Sequence, residues 1–352
     1  MKKVSIFIAL LLSMVASIQA QESPKSLIYM IGDGMGAAQL TMLMSESGYA
    51  ATQLDRAQNV VLTKSYSADA LVTDSAAAGT ALATGYKTNN GMLGRTPDGV
   101  DRESIMALAS KEGKSTGFVV TCEVQHATPA AFYAHVDSRR EYPAISTQLA
   151  QSSVDVAVGG GYNYFAQSDL DILKERGYSI VTTAESLDAH TQGRVVALLS
   201  PEKPLSITNG RDKEYLATST AKAIELLSQN KEGFVLMIEG SQIDWEGHNN
   251  DVEAIYAELQ DFERAIEVAL DYADSSGDTL VVITADHETG GLALTKDVGA
   301  YLSAPGVRYQ FTTGEHSGVL IPALLYGAGA DRINGIVENS ELAQKLIDVV
   351  LK

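Results

Sequence analysis

Cysteine is nearly absent, with one residue, Cys122, among 352. A lone thiol cannot close an internal disulfide, which excludes a small secreted module built on disulfides. It equally excludes a structural zinc site made of thiolates. Cys122 itself reads as a small buried hydrophobe rather than a reactive thiol. Positive charge is also short. There are 26 Lys and Arg against 44 Asp and Glu, for a formal net charge of −18, which argues against nucleic acid as a specific partner. Beyond residue 20 no apolar run reaches the roughly 20 residues of a membrane span, so no membrane association is expected. Proline- or serine-rich linkers, internal repeats and low-complexity tracts are missing too, so nothing cuts the chain in two.

What is present starts at the amino terminus. Lys2 and Lys3 precede an apolar run from Val4 to Ile18 that ends at Ala20, the pattern of a secretory signal peptide over residues 1–20. The remaining catalytic unit is residues 21–352. Removing the leader takes two basic residues and no acidic one, leaving a net charge of −20. Export, to a periplasm or to the outside, lets such an acidic protein meet metal ions beyond the cytosol. A composition of 45% hydrophobic and 20% charged residues is that of an ordinary globular protein.

Short apolar stretches alternate with helical patterns. Leu27–Ile31, Gly117–Cys122, Phe234–Ile238, Thr279–Thr284 and Val319–Leu325 are near-continuous hydrophobic runs, as expected of strands buried on both faces. A helix is expected from about Asn250 to Ala273, where Val252, Ile255, Leu259, Phe262, Ile266, Ala269 and Ala273 recur every three or four residues, with Asn250 as its cap. Strand followed by helix, repeated, predicts a single-domain α/β sandwich with a large, mostly parallel central sheet flanked by helices on both faces. Residues 85–102 and 296–315 read as loops that could overhang a site.

The chemistry gathers after the apolar runs. Gly32-Asp33-Gly34, Glu123 to Thr128, Glu239 to Asp244 and Asp286-His287 follow four of them, and Glu315-His316 precedes the fifth. In a parallel sheet ligands bind beyond the carboxyl ends of the strands, so one edge would collect all of these. Each has a plainer reading alone. Asp33 among glycines is a turn or cap. Asp244 and His248, four apart, make a surface ion pair. Together with Asp286, His287, His316 and Glu239, however, they exceed the needs of one ion and suit a centre of two or three metals. His126 reads as a supporting donor rather than a ligand. His135 and His190 lack acidic neighbours and read as structural or solvent-facing.

Asp74-Ser75-Ala76-Ala77-Ala78 has the form of a capped helix start, with Gly85 as its stop. Ser75 would then sit where backbone N–H groups and the positive dipole end converge. It is either a capping serine or a nucleophile, and the chain has no G-x-S-x-G elbow to support a His/Asp relay. A metal would have to activate it. Arg139 and Arg140 offer planar forks matched to phosphate oxygens, or are surface charges.

On these motifs, above all Val72 to Gly85, Ile238 to Asn250 and Thr284 to Leu292, the chain resembles the alkaline phosphatase family, especially its compact bacterial members. The resemblance runs in order from Asp33 to His316. It implies two Zn2+ and one Mg2+ per chain. Asp244, His248 and His316 are similar to the ligands of the first zinc. Asp286, His287, Asp33 and the oxygen of Ser75 are similar to those of the second. Asp33, Glu239 and Thr128 match the magnesium set. The resemblance makes Ser75 the nucleophile of a phosphomonoesterase that passes through a phosphoserine, and Arg139 rather than Arg140 the phosphate-binding arginine. His126 and Trp245 stand where some members carry Asp and Lys. Small phosphate monoesters are the implied substrates and a homodimer the implied assembly. Two rivals are a phosphodiesterase or sulfatase of the same superfamily and an exported phosphate- or metal-binding protein without turnover.

Overall fold

The computed structural model describes residues 23–300 and 302–352; the leader inferred for residues 1–20 lies outside the described residues. At its centre is a ten-stranded sheet. Its first eight strands in chain order are β1 (Ser26–Gly32), β2 (Asn59–Lys64), β3 (Ser115–Glu123), β4 (Val156–Gly160), β5 (Ser179–Val181), β6 (Val195–Leu198), β7 (Phe234–Gly240) and β8 (Thr279–Thr284). Four short strands follow outside it: β9 (Glu288–Thr289), β10 (Ala293–Ala300), β11 (Pro305–Gln310) and β12 (His316–Ser317). The last two, β13 (Ile321–Gly327) and β14 (Gly335–Glu338), rejoin the large sheet. The spatial order is β14-β2-β13-β8-β1-β7-β3-β4-β6-β5.

The apolar runs become central strands because side chains alternate between two covered faces. In β1, Leu27, Tyr29 and Ile31 enter one core while Ile28 and Met30 enter the other. β7 divides in the same way, Val235 and Met237 against Phe234, Leu236 and Ile238. Each fully buried side chain of this size contributes about 2–3 kcal/mol. The first core is closed by the Ser75–Thr84 and Asn339–Leu351 helices, through Leu82, Leu342 and Leu346; the second by the Tyr215–Leu227 and Val252–Ser276 helices, through Leu216, Ile255 and Phe262. The architecture expected from the sequence is therefore found.

One strand departs from the parallel majority, and three local expectations are corrected. β13 runs antiparallel to both neighbours, β2 and β8, while every other ladder of the large sheet is parallel. It also starts at Ile321, because Val319 and Leu320 are exposed. The long helix is capped by Asp251, whose Oδ1 accepts from Ala254 N at 3.1 Å, whereas Asn250, at φ 54°, ends the preceding helix in a left-handed turn. Finally, much of 296–315 forms the β10–β11 hairpin.

Candidate metal centre and nucleophile

β8, β1, β7 and β3 are adjacent and parallel, so their carboxyl ends meet at one edge. Asp33 follows β1, Glu239 lies in the last turn of β7, Asp286 and His287 follow β8, and His126 and Thr128 follow β3. The Gln242–Asn249 helix then carries Asp244 and His248 one turn apart. His316 arrives at the same edge because β12 pairs with β9, placing His316 opposite Thr289. Gly34 makes the crowding possible. Its φ is 73°, and a Cβ there would lie 2.8 Å from the Cα of Asp244. Its N–H, at 3.2 Å, donates to Asp286 Oδ1.

Two ligand clusters result. Around Asp244, His248 Nε2 and His316 Nε2 each lie 3.4 Å from Oδ1 and 3.2 Å from each other. Around His287, Nε2 is 3.4 Å from Asp33 Oδ1, 3.2 Å from Asp286 Oδ2 and 3.2 Å from Ser75 Oγ. The His287 and His316 rings stack at 3.5 Å, which joins the clusters. The other ring nitrogens are fixed from behind. His248 Nδ1 is 2.7 Å from Gly314 O, His316 Nδ1 is 2.8 Å from Thr73 O, and Thr289 Oγ1 lies against His287 Nδ1 while donating to Asp244. Such support selects the ring face that is presented to an ion.

Ser75 begins its helix as the sequence predicts. Asp74 Oδ1 accepts from Ala77 N at 2.9 Å, and Gly85 closes the helix at φ 79°. Asp74 also reaches across the pocket, where its Oδ2 pairs with Arg139 Nη1 at 3.2 Å. Arg139 Nη2 lies 3.2 Å from His126 Nε2, and the His126 ring meets Trp245 edge-on at 5.6 Å. Arg140 lines the same open pocket with Asp74, His126, Arg139 and Tyr142. His135 and His190 lie elsewhere, against the carbonyls of Arg102 and Gly193.

The electrostatics mark a site short of positive charge. Burial, reinforced by Asp286, Asp244 and Glu239, raises the Asp33 carboxyl well above the ordinary range. Burial pushes Glu239 up to about 7 and Asp286 up to about 6. Burial would raise Asp244 too, but His248 and His316 hydrogen bonds hold it well below. Asp244 in return lifts His248 to about 9. Burial keeps His287 far below its usual value, hence neutral and able to ligate. Both Asp33 oxygens, Asp286 Oδ2 and Glu239 Oε1 are buried with no hydrogen-bond partner. Orphaned carboxylate oxygens beside the neutral His287 imidazole are a donor set for a divalent cation.

The alkaline phosphatase family model matches residues 24–309. The chain belongs to the alkaline phosphatase family. It is 39% identical to alkaline phosphatase 4 of Bacillus subtilis over 289 residues, covering 77% of this chain and 62% of that protein. It is 31% identical to the Escherichia coli alkaline phosphatase, covering 90% of this chain and 84% of that one. The chain thus spans under two thirds of the B. subtilis relative. The alkaline phosphatase of the Antarctic bacterium TAB5 superposes with a TM-score of 0.88 at 35% identity, over 94% of this chain and 99% of that one. The residues that sequence reasoning missed are mostly supports: Thr289, the carbonyls of Thr73 and Gly314, and the Arg139 contact of Asp74. Only the T-x-G spacing after Asp286 signals the first of them; the carbonyls carry no side-chain signal at all.

Proposed function

We propose that residues 21–352 form a metal-dependent phosphomonoesterase, exported by residues 1–20 and working as a homodimer on small phosphate monoesters. The observation that carries this reading is Ser75 Oγ at a helix start, 3.2 Å from His287 Nε2, beside Asp33 and Asp286, which make no ion pair with Lys or Arg among the described residues. A pure phosphate binder could use the hydroxyl as a donor but needs no activated alkoxide.

The residues fit the implied ions. Asp244, His248 and His316 would hold one zinc, and Asp33, Asp286 and His287 with Ser75 a second. Glu239, Thr128 and Asp33 would hold a magnesium. Bound there, these ions supply Lewis acidity and offset the negative charge of a phosphate dianion. The chain does the rest. The helix start directs backbone N–H dipoles towards Ser75. Asp74 holds Arg139 so that its fork can take two phosphate oxygens. The Ser75 oxygen then gives up its proton to solvent and bonds to phosphorus as the bond to the leaving alkoxide breaks; that alkoxide takes a proton from water, and a second water hydrolyses the phosphoserine to free Ser75 and phosphate.

The test uses protein reconstituted with zinc and magnesium. Nitrophenyl phosphate should be hydrolysed far faster than its methyl diester, and acid quenching should trap phosphate on the protein. Ser75→Ala should remove the trapped phosphate and lower kcat by about 10^4-fold or more. Preference for the diester would assign the chain to the diesterase branch, and a trapped phosphate surviving Ser75→Ala would move the nucleophile elsewhere.

A further inference from the structure

Lys203 is an exposed cation carried on a tightly held segment. Leu199 N donates to Gly159 O at 2.7 Å, Gly161 N to Glu202 O at 2.7 Å, Asn163 N to Pro201 O at 2.8 Å and Gln242 Nε2 to Pro204 O at 3.1 Å. Ser200 Oγ donates to the carbonyl of Lys203 itself at 2.9 Å. Gly160 permits the close approach, since a Cβ there would lie 2.0 Å from Glu202 O. The chain has 44 acids against 26 bases, yet Lys203 makes no ion pair among the described residues. Its ammonium lies instead 4.2 Å from the centroid of the Trp245 ring. Such a contact holds a cation loosely enough that an incoming anion can claim it, because a charge-assisted hydrogen bond is the stronger interaction.

The placement of this cation is not arbitrary. Trp245 meets the His126 ring edge-on at 5.6 Å, and His126 Nε2 lies 3.2 Å from Arg139 Nη2. A row of four side chains therefore runs from Arg139 to Lys203, half-buried at His126 and Trp245 and exposed at its far end. Arg139 and His126 also line the open pocket. An alcohol esterified to a phosphate held by Arg139 must extend towards solvent, along such a wall. A second negative charge on that alcohol would be repelled by a chain of net charge −18 unless a cation on the rim received it. We propose that Lys203 is a specificity-determining residue: held on Trp245, it receives an anionic group on the leaving alcohol, a carboxylate or a second phosphate, so that the chain favours monoesters carrying a second anion over those of neutral alcohols. The inference rests on the phosphomonoesterase reading above. Arg139 takes the phosphate that is transferred, Lys203 takes the distal anion, and Lys203 keeps its protons throughout.

Trp245 is the single tryptophan, so its fluorescence reports on the Lys203 contact. Full chain reconstituted with zinc and magnesium is titrated with propylphosphonate, 3-carboxypropylphosphonate and propane-1,3-bisphosphonate, none of which can be hydrolysed. The ligands with a distal anion should bind more tightly than propylphosphonate and alone should change the emission, as Lys203 leaves the ring to meet them. Lys203→Ala should remove that change and cut the advantage of at least one distal anion by about threefold to tenfold. Lys203→Glu should reverse the preference, and Lys203→Arg should retain most of it. The arm with the larger loss identifies the anion as carboxylate or phosphate, and kcat/KM for the matching phosphate esters should follow the same ratios. Unchanged ratios in both Lys203→Ala and Lys203→Glu would overturn the proposal. So would an equal loss for all the ligands, which would put Lys203 on the transferred phosphate. Discrimination among the phosphonates without ester turnover defeats only the esterase, and turnover with unchanged ratios defeats only the role of Lys203.

Discussion

Two clusters of buried acid in this molecule are neutralised in opposite ways. At the first, Arg211 lies between Glu258 and Asp261, with side chains 3%, 3% and 1% exposed. Arg211 Nη2 contacts Glu258 directly and Asp261 at 2.9 Å, and Ile207 N donates to Glu258 at 2.8 Å. At the second, Asp33, Glu239 and Asp286 are equally buried but make no ion pair with Lys or Arg among the described residues. The first cluster closes its charge within the chain; the second leaves it open for cations from outside. Burial of an acid therefore says little by itself. The identity of its partner separates a structural acid from a functional one.

The strongest way to break that distinction is to remove one charge from each cluster. Arg211→Ala should destabilise the protein by about 3–5 kcal/mol, because it strands the buried Glu258 carboxylate and leaves Asp261 only Arg264, at 3.4 Å, yet leave turnover per folded molecule unchanged. Glu239→Gln should do the reverse. In metal-free protein it should raise stability by roughly 1–3 kcal/mol through relief of like-charge repulsion, while weakening ion binding. Denaturant unfolding with and without chelator reads both. Loss of stability in metal-free Glu239→Gln would mean that the open cluster is already balanced internally.

The pH dependence of stability sharpens the comparison at somewhat smaller scale. In metal-free protein Glu239, raised to about 7, and His248, raised to about 9, hold protons that the unfolded chain loses around pH 4.5 and 6.5 respectively. Groups with raised pKa stabilise below their unfolded values and lose that contribution as pH climbs through the folded ones. Stability of the metal-free protein should therefore fall from about pH 4.5 to 7 on account of Glu239, and from about pH 6.5 to 9 on account of His248. For His248 a rise from 6.5 to about 9 is worth about 3 kcal/mol in full burial, and on the order of 2 kcal/mol for a side chain 34% exposed. His126 and His287, both lowered by burial, act on the other side, costing stability on acidification below about 6.5. Zinc loading should flatten the alkaline fall. A metal-free melting temperature constant from pH 6.5 to 9 would contradict the assignment.

What the sequence made legible follows the same division. Continuous apolar runs betray β1, β3, β7 and β8, because strands buried on both faces have no polar side to show. The acids and histidines that follow those runs can be placed on one edge by topology alone. The direction of β13 cannot, since an apolar run carries no sign of strand polarity. Asn250 and Asp251 both satisfy the preference for a cap, and only the left-handed backbone of Asn250 decides between them. Cys122 is buried as its sequence reading expects, but its contact with Glu239, 117 residues away, is not legible there. Contacts of that separation leave no trace in spacing.

The two arginines of the pocket offer a finer contrast. Arg139 is oriented by Asp74 and faces His126, while Arg140 has only its backbone N–H tied, to Ser138 Oγ at 3.3 Å. Arg139→Ala should lower kcat/KM for a monoester by about 10- to 100-fold, the worth of one or two charge-assisted hydrogen bonds. Arg140→Ala should change it by less than about threefold, as for an exposed charge. The opposite order would assign the phosphate contact to Arg140.

The smallest effect compares two aspartates with one local role. Asp74 and Asp251 each cap a helix by accepting from the N–H three residues on, at 2.9 and 3.1 Å. Either one replaced by Ala should cost about 1 kcal/mol of stability. Asp251 caps its helix and does no more, so Asp251→Ala should leave the kinetics alone. Asp74 also holds Arg139 Nη1 and accepts from Gly91 N at 3.1 Å. Asp74→Ala should therefore raise KM and the inhibition constant of inorganic phosphate several-fold, with Asp74→Asn restoring the cap but only part of the arginine's alignment. Equal kinetics for the two Ala variants would show that Arg139 is positioned without Asp74. The Ser75 helix start and Arg139 would then be independent of each other, because Asp74 is the side chain that joins them.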